Sequence, residues 1–250
     1  SKTSRLASGR HSSSAACARR WSRRQSERAP GIAGSEADAA HVAPRTRAHS
    51  VTNIRRLREF VIGMTGLVQR HGRDEMAMLR EGGRLLGRLI AHDDWLPDVF
   101  AAPHRAHHQE YLLHCDPLGR FSVVSFVLAP GQKTPVHDHT VWCLIGVLRG
   151  SERFDEYRHE GEGVPMSKTG EHLCAAGDIE VASPTIGDIH VIANEQRDHA
   201  AVSIHVFGAN IGGLMRRTFS LATGEPQALV SGYANSLLPN LWDRSLEAHA

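Results

Sequence analysis

The spacing of apolar residues changes character twice along this chain. Over residues 1–50 no apolar period is sustained, and Ser, Ala and Arg dominate. Such a segment cannot bury enough surface to offset the entropy of ordering it, so it reads as a disordered extension. From Asn53 onward, Ile54, Leu57, Val61, Met64 and Val68 recur at steps of three and four with Arg and Glu between them, the pattern of an amphipathic helix. Gly72 interrupts the run, and Asp74 is placed to start a second helix carrying Met78, Leu79, Leu85, Leu86 and Ile90. Trp95-Leu96-Pro97 is the expected end, giving a helical layer over about 53–95 that serves packing rather than chemistry.

After Ala101 the period shortens to that of strands. Tyr111–His114, Phe121–Leu128, Cys143–Leu148, Arg153–Arg158, Ile179–Ala182, Ile189–Ala193 and Ala201–Phe207 are short and rich in β-branched or aromatic residues. Asp116-Pro117, Pro130-Gly131, Gly161, Gly177 and Gly187 separate them as turn signals. Many short strands at regular spacing predict a mainly β fold, an antiparallel sandwich or barrel over about 105–222 within one domain spanning 51–250. No Gly-x-Gly-x-x-Gly, P-loop or Gly-x-Ser-x-Gly occurs, so nucleotide, dinucleotide and serine-hydrolase readings have no anchor.

Composition narrows the classes further. The 250 residues are 41% hydrophobic and 22% charged, enough for one sizeable core or two small ones. The net charge of +2 is unevenly spread, because Arg5, Arg10, Arg19, Arg20, Arg23, Arg24 and Arg28 crowd the first thirty residues. That segment suits either an organelle transit peptide or a dispensable extension. The remainder is close to neutral, which gives no footprint for nucleic acid. Apolar runs are strand-sized, far short of the ~20 residues a membrane span needs. Cys17, Cys115, Cys143 and Cys174 lie far apart with no Cys-x-x-Cys pair, pointing to a reducing, cytoplasmic setting.

Seventeen histidines are present, and most are expected to be solvated or structural. Pro135-Val136-His137-Asp138-His139 is different, since alternation along a strand turns both imidazoles to one face and Asp138 to the other. Gly131, five residues, His137-Asp138-His139, three residues, Cys143, six residues and Gly150 reproduce the spacing of the first cupin motif, with Cys143 where that motif has a Glu ligand. Gly177, Pro184, Gly187, His190 and Asn194 follow the second cupin motif with one extra residue on each side of the proline. His190 then supplies a third imidazole from another strand. The expected fold is a cupin double-stranded β-helix with an N-terminal helical layer. Three neutral imidazoles leave open positions on a six-coordinate Fe(II) for a chelating substrate and dioxygen; zinc with three His and water would instead suit hydration or hydrolysis.

The stretch FSVVSFVLAPGQKTPVHDHTVWCLIGVLRG, together with GDIHVIAN and SIHVFGANIG, resembles the cysteine dioxygenase superfamily of cupin thiol dioxygenases. The similarity runs from about residue 55 to the end and is closest to the bacterial branch typified by 3-mercaptopropionate dioxygenase. The resemblance implies Fe(II) held by His137, His139 and His190, a substrate thiolate on the metal, and transfer of both atoms of dioxygen to sulfur. It also implies an outer Ser-x-His-x-Tyr relay, which Ser203 and His205 match while Phe207 stands in the tyrosine position. Animal-type members carry a cysteine at the position of Cys143, joined to that tyrosine by a thioether; with Phe207 the cross-link cannot form.

Substrate selection by resemblance points to Arg216, with Arg217 as the neighbouring alternative, and to Trp142 and Cys143 beside the ligands. No arginine occurs in Gln109–His114, where animal enzymes place one, and Gly208-Ala209-Asn210 replaces their Ser-Pro-Pro. These features favour 3-mercaptopropionate, with cysteine or mercaptosuccinate as alternatives. The reading outside catalysis is a cupin that keeps a metal for structure or sensing, given the missing tyrosine. Dioxygen and a small thiol carboxylate are the expected partners, with no nucleic acid and no membrane.

Overall fold

A computed structural model describes residues 53–244; the extension expected over 1–50 lies outside them. Two helices lead the chain, α1 (Ile54–His71) and α2 (Glu75–Ile90). Asp74 caps α2 as expected, its side chain accepting from Ala77 N–H. The helix ends at Ile90 rather than at Trp95. Trp95 is instead folded against the helix terminus, where its indole N–H reaches the carbonyls of Leu89 (3.2 Å) and His92 (3.0 Å) that the last turn leaves over.

Eleven strands follow: β1 (Gln109–Cys115), β2 (Ser122–Leu128), β3 (Val136–His137), β4 (Cys143–Arg149), β5 (Ser151–Arg158), β6 (Ser167–Ala175), β7 (Ile179–Ala182), β8 (His190–Ala193), β9 (Ala201–Phe207), β10 (Arg216–Phe219) and β11 (Pro226–Leu229). They form two antiparallel sheets, β1-β2-β9-β4-β7 and β11-β10-β3-β8-β5-β6. This is the mainly β double-stranded β-helix of cupins, with the two helices packed on the five-stranded sheet. The barrel extends past the expected end at 222, because β10 and β11 pair with each other and β10 pairs with β3. β6, β10 and β11 are absent from the sequence-based strand set. β6 alternates polar residues that are mostly partly or fully exposed, and so lacks the apolar signal that strand reading depends on.

The alternation inside the five-stranded sheet accounts for its burial. In β9, Val202, Ile204 and Val206 join the core shared with the helices, while Ala201 and Phe207 join the interior core of the barrel. β2 and β4 split likewise: Val123, Val127, Leu144 and Leu148 face the helices, and Val124, Phe126, Cys143, Ile145 and Val147 face inward. α2 approaches β4 closely at Gly146, where an added Cβ would lie 3.0 Å from Leu86 and Ile90 carbons. The chain crosses from one sheet to the other between β4 and β5 at Gly150, whose φ of 75° favours glycine. A terminal segment closes the structure: Arg58 donates to the Leu241 carbonyl (2.9 Å), and Asn235 bridges both backbone groups of Leu112. Among the described residues no helix is long and apolar enough to cross a membrane, and Cys115, Cys143 and Cys174 form no disulfide.

Candidate metal centre

His137 lies on β3 and His190 on β8, directly paired across the six-stranded sheet. His139 was expected on the same strand as His137, but β3 stops at His137 and the chain turns. Asp188 holds that turn, its Oδ2 accepting from the backbone N–H of His139 (3.0 Å) and of Thr140 (2.7 Å). Thr140 has a φ of 61°, unusual for a residue with a Cβ, so the turn that aims His139 is strained and tied down by two bonds to one carboxylate. The three imidazoles nevertheless converge, with ring centroids 4.8–5.1 Å apart and one nitrogen of each within 4.8 Å of the others.

All three rings are buried, at 1–7% exposure. Burial, followed by the neighbouring Arg216 charge, holds His137 down to about 4. His139 and His190 are held well below the usual imidazole range, by burial first and then by the other rings and Arg216. The rings are therefore neutral at pH 7, the form in which imidazole is a ligand. His137 Nδ1 is 3.0 Å from the Pro135 carbonyl, which places the proton there and leaves the Nε2 lone pair free. His137 and His139 Nε2 are 3.2 Å apart, and His190 Nε2 has no hydrogen-bond partner among the described residues. Nitrogens about 2.1 Å from one ion stand roughly 3.0 Å apart at right angles and roughly 3.4 Å apart in a tetrahedron. The donor set therefore fits a divalent ion, and the spacing accommodates either geometry. Behind His139, Nδ1 faces Asp188 Oδ1 at 3.6 Å, and both atoms are buried without a bond. Burial raises the Asp188 carboxyl to about 6 against the pull of its two backbone bonds.

The other sequence-predicted residues separate by strand face. Ser203, His205 and Phe207 share the interior face of β9. Ser203 Oγ is 2.9 Å from His205 Nε2, the His205 ring is 5.6 Å from that of Phe207, and Phe207 meets His139 edge-on at 5.0 Å. Cys143 is fully buried and directly paired with Phe207 across β4 and β9. Burial, then the nearby Asp188 carboxyl, pushes its thiol well above the usual range, so it is neutral. Trp142, expected beside the substrate, is placed otherwise. Alternation turns it to the opposite face from Cys143, where it packs against the core shared with the helices, over Gly208. A Cβ at Gly208 would lie 2.5 Å from the Trp142 indole nitrogen.

Arg216 and Arg217 are divided by the same rule. Arg216 is buried (3% exposed), bonded to Ser231 Oγ at 2.8 Å and 3.8 Å from Glu110, and its Nε has no partner among the described residues. Arg217 points out and is paired with Asp138 at 2.6 Å. Sequence reasoning missed Asp188, Glu110 and Glu152. Burial opposes ionisation of Glu110, but His108, Arg216 and Ser231 together hold its carboxyl below the usual range. Glu152 is fully buried, with Oε1 2.9 Å from Ser203 Oγ. A further group, His172, Cys174 and Glu180, lies beyond Phe154, whose ring stacks on His172; His172 and Glu180 already satisfy each other at 2.9 Å.

No protein-family model matches this chain. Among solved structures it is similar to a conserved protein with a double-stranded β-helix domain from Klebsiella pneumoniae (19% identity, 48% of this chain and 93% of that one, TM-score 0.37). It is similar to a cupin superfamily protein from Desulfitobacterium hafniense (12% identity, 48% and 94%, TM-score 0.36). An oxalate oxidase in complex with the substrate analogue glycolate matches at 16% identity over 56% and 63% of the two chains, with a TM-score of 0.36. The chain is a cupin-fold protein whose barrel encloses three histidines able to hold a metal ion.

Proposed function

We propose that this protein is a non-haem Fe(II) thiol dioxygenase that converts a small thiol carboxylate, 3-mercaptopropionate foremost, and dioxygen into the sulfinate. Both oxygen atoms end on sulfur, so the reaction needs no other reductant or oxidant. The observation that carries the reading is the meeting of three buried neutral imidazoles with one inward guanidinium, Arg216, whose Nε remains without a partner. Iron bound by His137, His139 and His190 would supply activation of the thiolate and of dioxygen. The surrounding residues do the rest. Arg216 receives the substrate carboxylate through charge-assisted hydrogen bonds, Phe207 and Ile145 keep the barrel interior apolar, and His205 presents a polar group beside Phe207. The absence of a phenol at 207 removes one donor, and loss of a preorganised donor costs roughly 100–1000-fold in comparable sites.

Glu110 favours a second substrate. Its carboxylate stands beside Arg216 and offers an α-ammonium group a partner, so cysteine is the alternative thiol. The test is metal analysis joined to oxygen uptake and product mass for 3-mercaptopropionate, cysteine, mercaptosuccinate and cysteamine. Iron near one per chain and a gain of two oxygen atoms on 3-mercaptopropionate are expected, with His137→Ala, His139→Ala and His190→Ala each losing iron and uptake. An iron-loaded protein that oxidises none of these thiols would leave a metal-holding cupin without this activity.

A further inference from the structure

The barrel interior contains an acid for which the proposed reaction has no use. Glu152 on β5 is completely buried, with Oε1 2.9 Å from Ser203 Oγ and Oε2 without a hydrogen-bond partner among the described residues. Ser203, also completely buried, is equally 2.9 Å from His205 Nε2. Ser203 has a single proton and stands between two groups, so two proton orders satisfy the chain. With Glu152 ionised, Ser203 donates to it and accepts from His205, which then bears its proton on Nε2. With Glu152 neutral, the acid O–H donates to Ser203, Ser203 donates to His205 Nε2, and the imidazole proton lies on Nδ1.

The surroundings decide between them. An ionised Glu152 would leave one carboxylate oxygen bare in an apolar interior, and no Lys or Arg forms an ion pair with it among the described residues. That arrangement is costly, whereas a neutral acid forgoes only a weak carbonyl acceptor. Burial accordingly raises Glu152 to about 8 despite the opposing pull of the Ser203 hydroxyl. Burial also lowers His205 to about 3, so its ring is neutral and has one N–H.

We propose that neutral Glu152 sets the proton order of the Glu152–Ser203–His205 chain and fixes His205 as the Nδ1–H tautomer, a hydrogen-bond donor on the interior face of β9. Glu152 is thus a positioning residue acting through Ser203. The tautomer stands on this geometry alone; its use as a donor toward bound substrate or dioxygen rests on the function proposed above. With phenylalanine at 207, the His205 N–H is the ring donor that β9 offers next to Phe207, whose own ring meets His139.

The test uses the full chain, metal-free and near neutral pH, with ¹⁵N-labelled histidine. Long-range ¹H–¹⁵N correlations report which ring nitrogen is protonated, and the His205 signals are assigned by their absence in His205→Gln. Expected are a protonated Nδ1 and a bare Nε2, together with an infrared C=O band of a protonated carboxylic acid that disappears in Glu152→Gln. Glu152→Gln, whose amide N–H replaces the acid O–H, retains the tautomer; Glu152→Ala, with no donor to Ser203, gives a mixture. An Nε2–H tautomer in the unaltered protein, no acid band lost in Glu152→Gln, or a single Nδ1–H tautomer in Glu152→Ala would overturn the proposal. Should Glu152→Ala fail to fold, the first two measurements decide. None of them needs iron or a thiol, so inactivity toward every thiol would refute the function while leaving this assignment intact.

Discussion

Two neighbouring arginines end in different surroundings because strand residues alternate faces. Arg216 turns into the barrel beside Glu110 and Ser231, and Arg217 turns out to Asp138. On the proposed function Arg216 binds the substrate carboxylate, so Arg216→Ala is expected to lower kcat/KM for 3-mercaptopropionate about 10–100-fold, equivalent to a charge-assisted hydrogen bond of ~1.5–3 kcal/mol. Cysteamine, which has no carboxylate, should be little affected. Arg217→Ala should leave the ratio between the two substrates unchanged. Steady-state kinetics on iron-matched samples check this, and the opposite assignment of effects would move the carboxylate contact to Arg217. The three histidines were legible in the sequence because turn glycines fix their spacing. Glu152, Asp188 and Glu110 were not: an acid in a polar strand such as β5, in a connection such as that before β8, or at a strand start such as that of β1 reads as solvent-facing until its tertiary neighbours are placed.

Elements show the same division between local and distant causes. Both helices and the strands β2, β4 and β9 follow from their periodicity, because each buries a complete apolar face. β10 escapes a sequence reading because only Arg216 and Phe219 are buried in it, and the partner that defines it, β3, is two residues long. His139 was misassigned to a strand for a related reason: a carboxylate forty-nine residues away bends the backbone there. The seat of α2 on β4 depends on one missing side chain. Gly146→Val would press two methyl groups into Leu86 and Ile90, and overpacking of that kind costs ~1–3 kcal/mol. A lower midpoint of thermal unfolding with unaltered metal content is the expected result; unchanged stability would mean that α2 yields freely.

For the whole molecule, buried titratable groups pull stability in opposite directions. His137, His139, His190 and His205 are all held below the usual imidazole value of 6.5, so the unfolded chain takes up protons that the folded one refuses. Stability of the metal-free protein is then full above 6.5 and lost as pH falls toward the folded values. Glu152 acts with the reverse sign. Raised from 4.5 to about 8, it keeps a proton that the unfolded chain has released. Its contribution is full below 4.5 and disappears as pH climbs through 8, at no more than ~1.4 kcal/mol per pH unit. Urea unfolding of metal-free protein between pH 5 and 9 (roughly the span over which these groups titrate) should show Glu152→Gln losing the alkaline decline and keeping the acid one. Parallel profiles would place the decline elsewhere. The two sheets also divide the chemistry, since His137, His190 and Arg216 stand on one and Ser203, His205, Phe207 and Cys143 on the other. Phe154, Ile145, Ile192 and Val147 fill the gap between them. That apolar layer is a spacer between the sheets, so a methyl group gained or lost there would shift Ser203 and His205 relative to the three imidazoles while every polar residue stayed in the sequence.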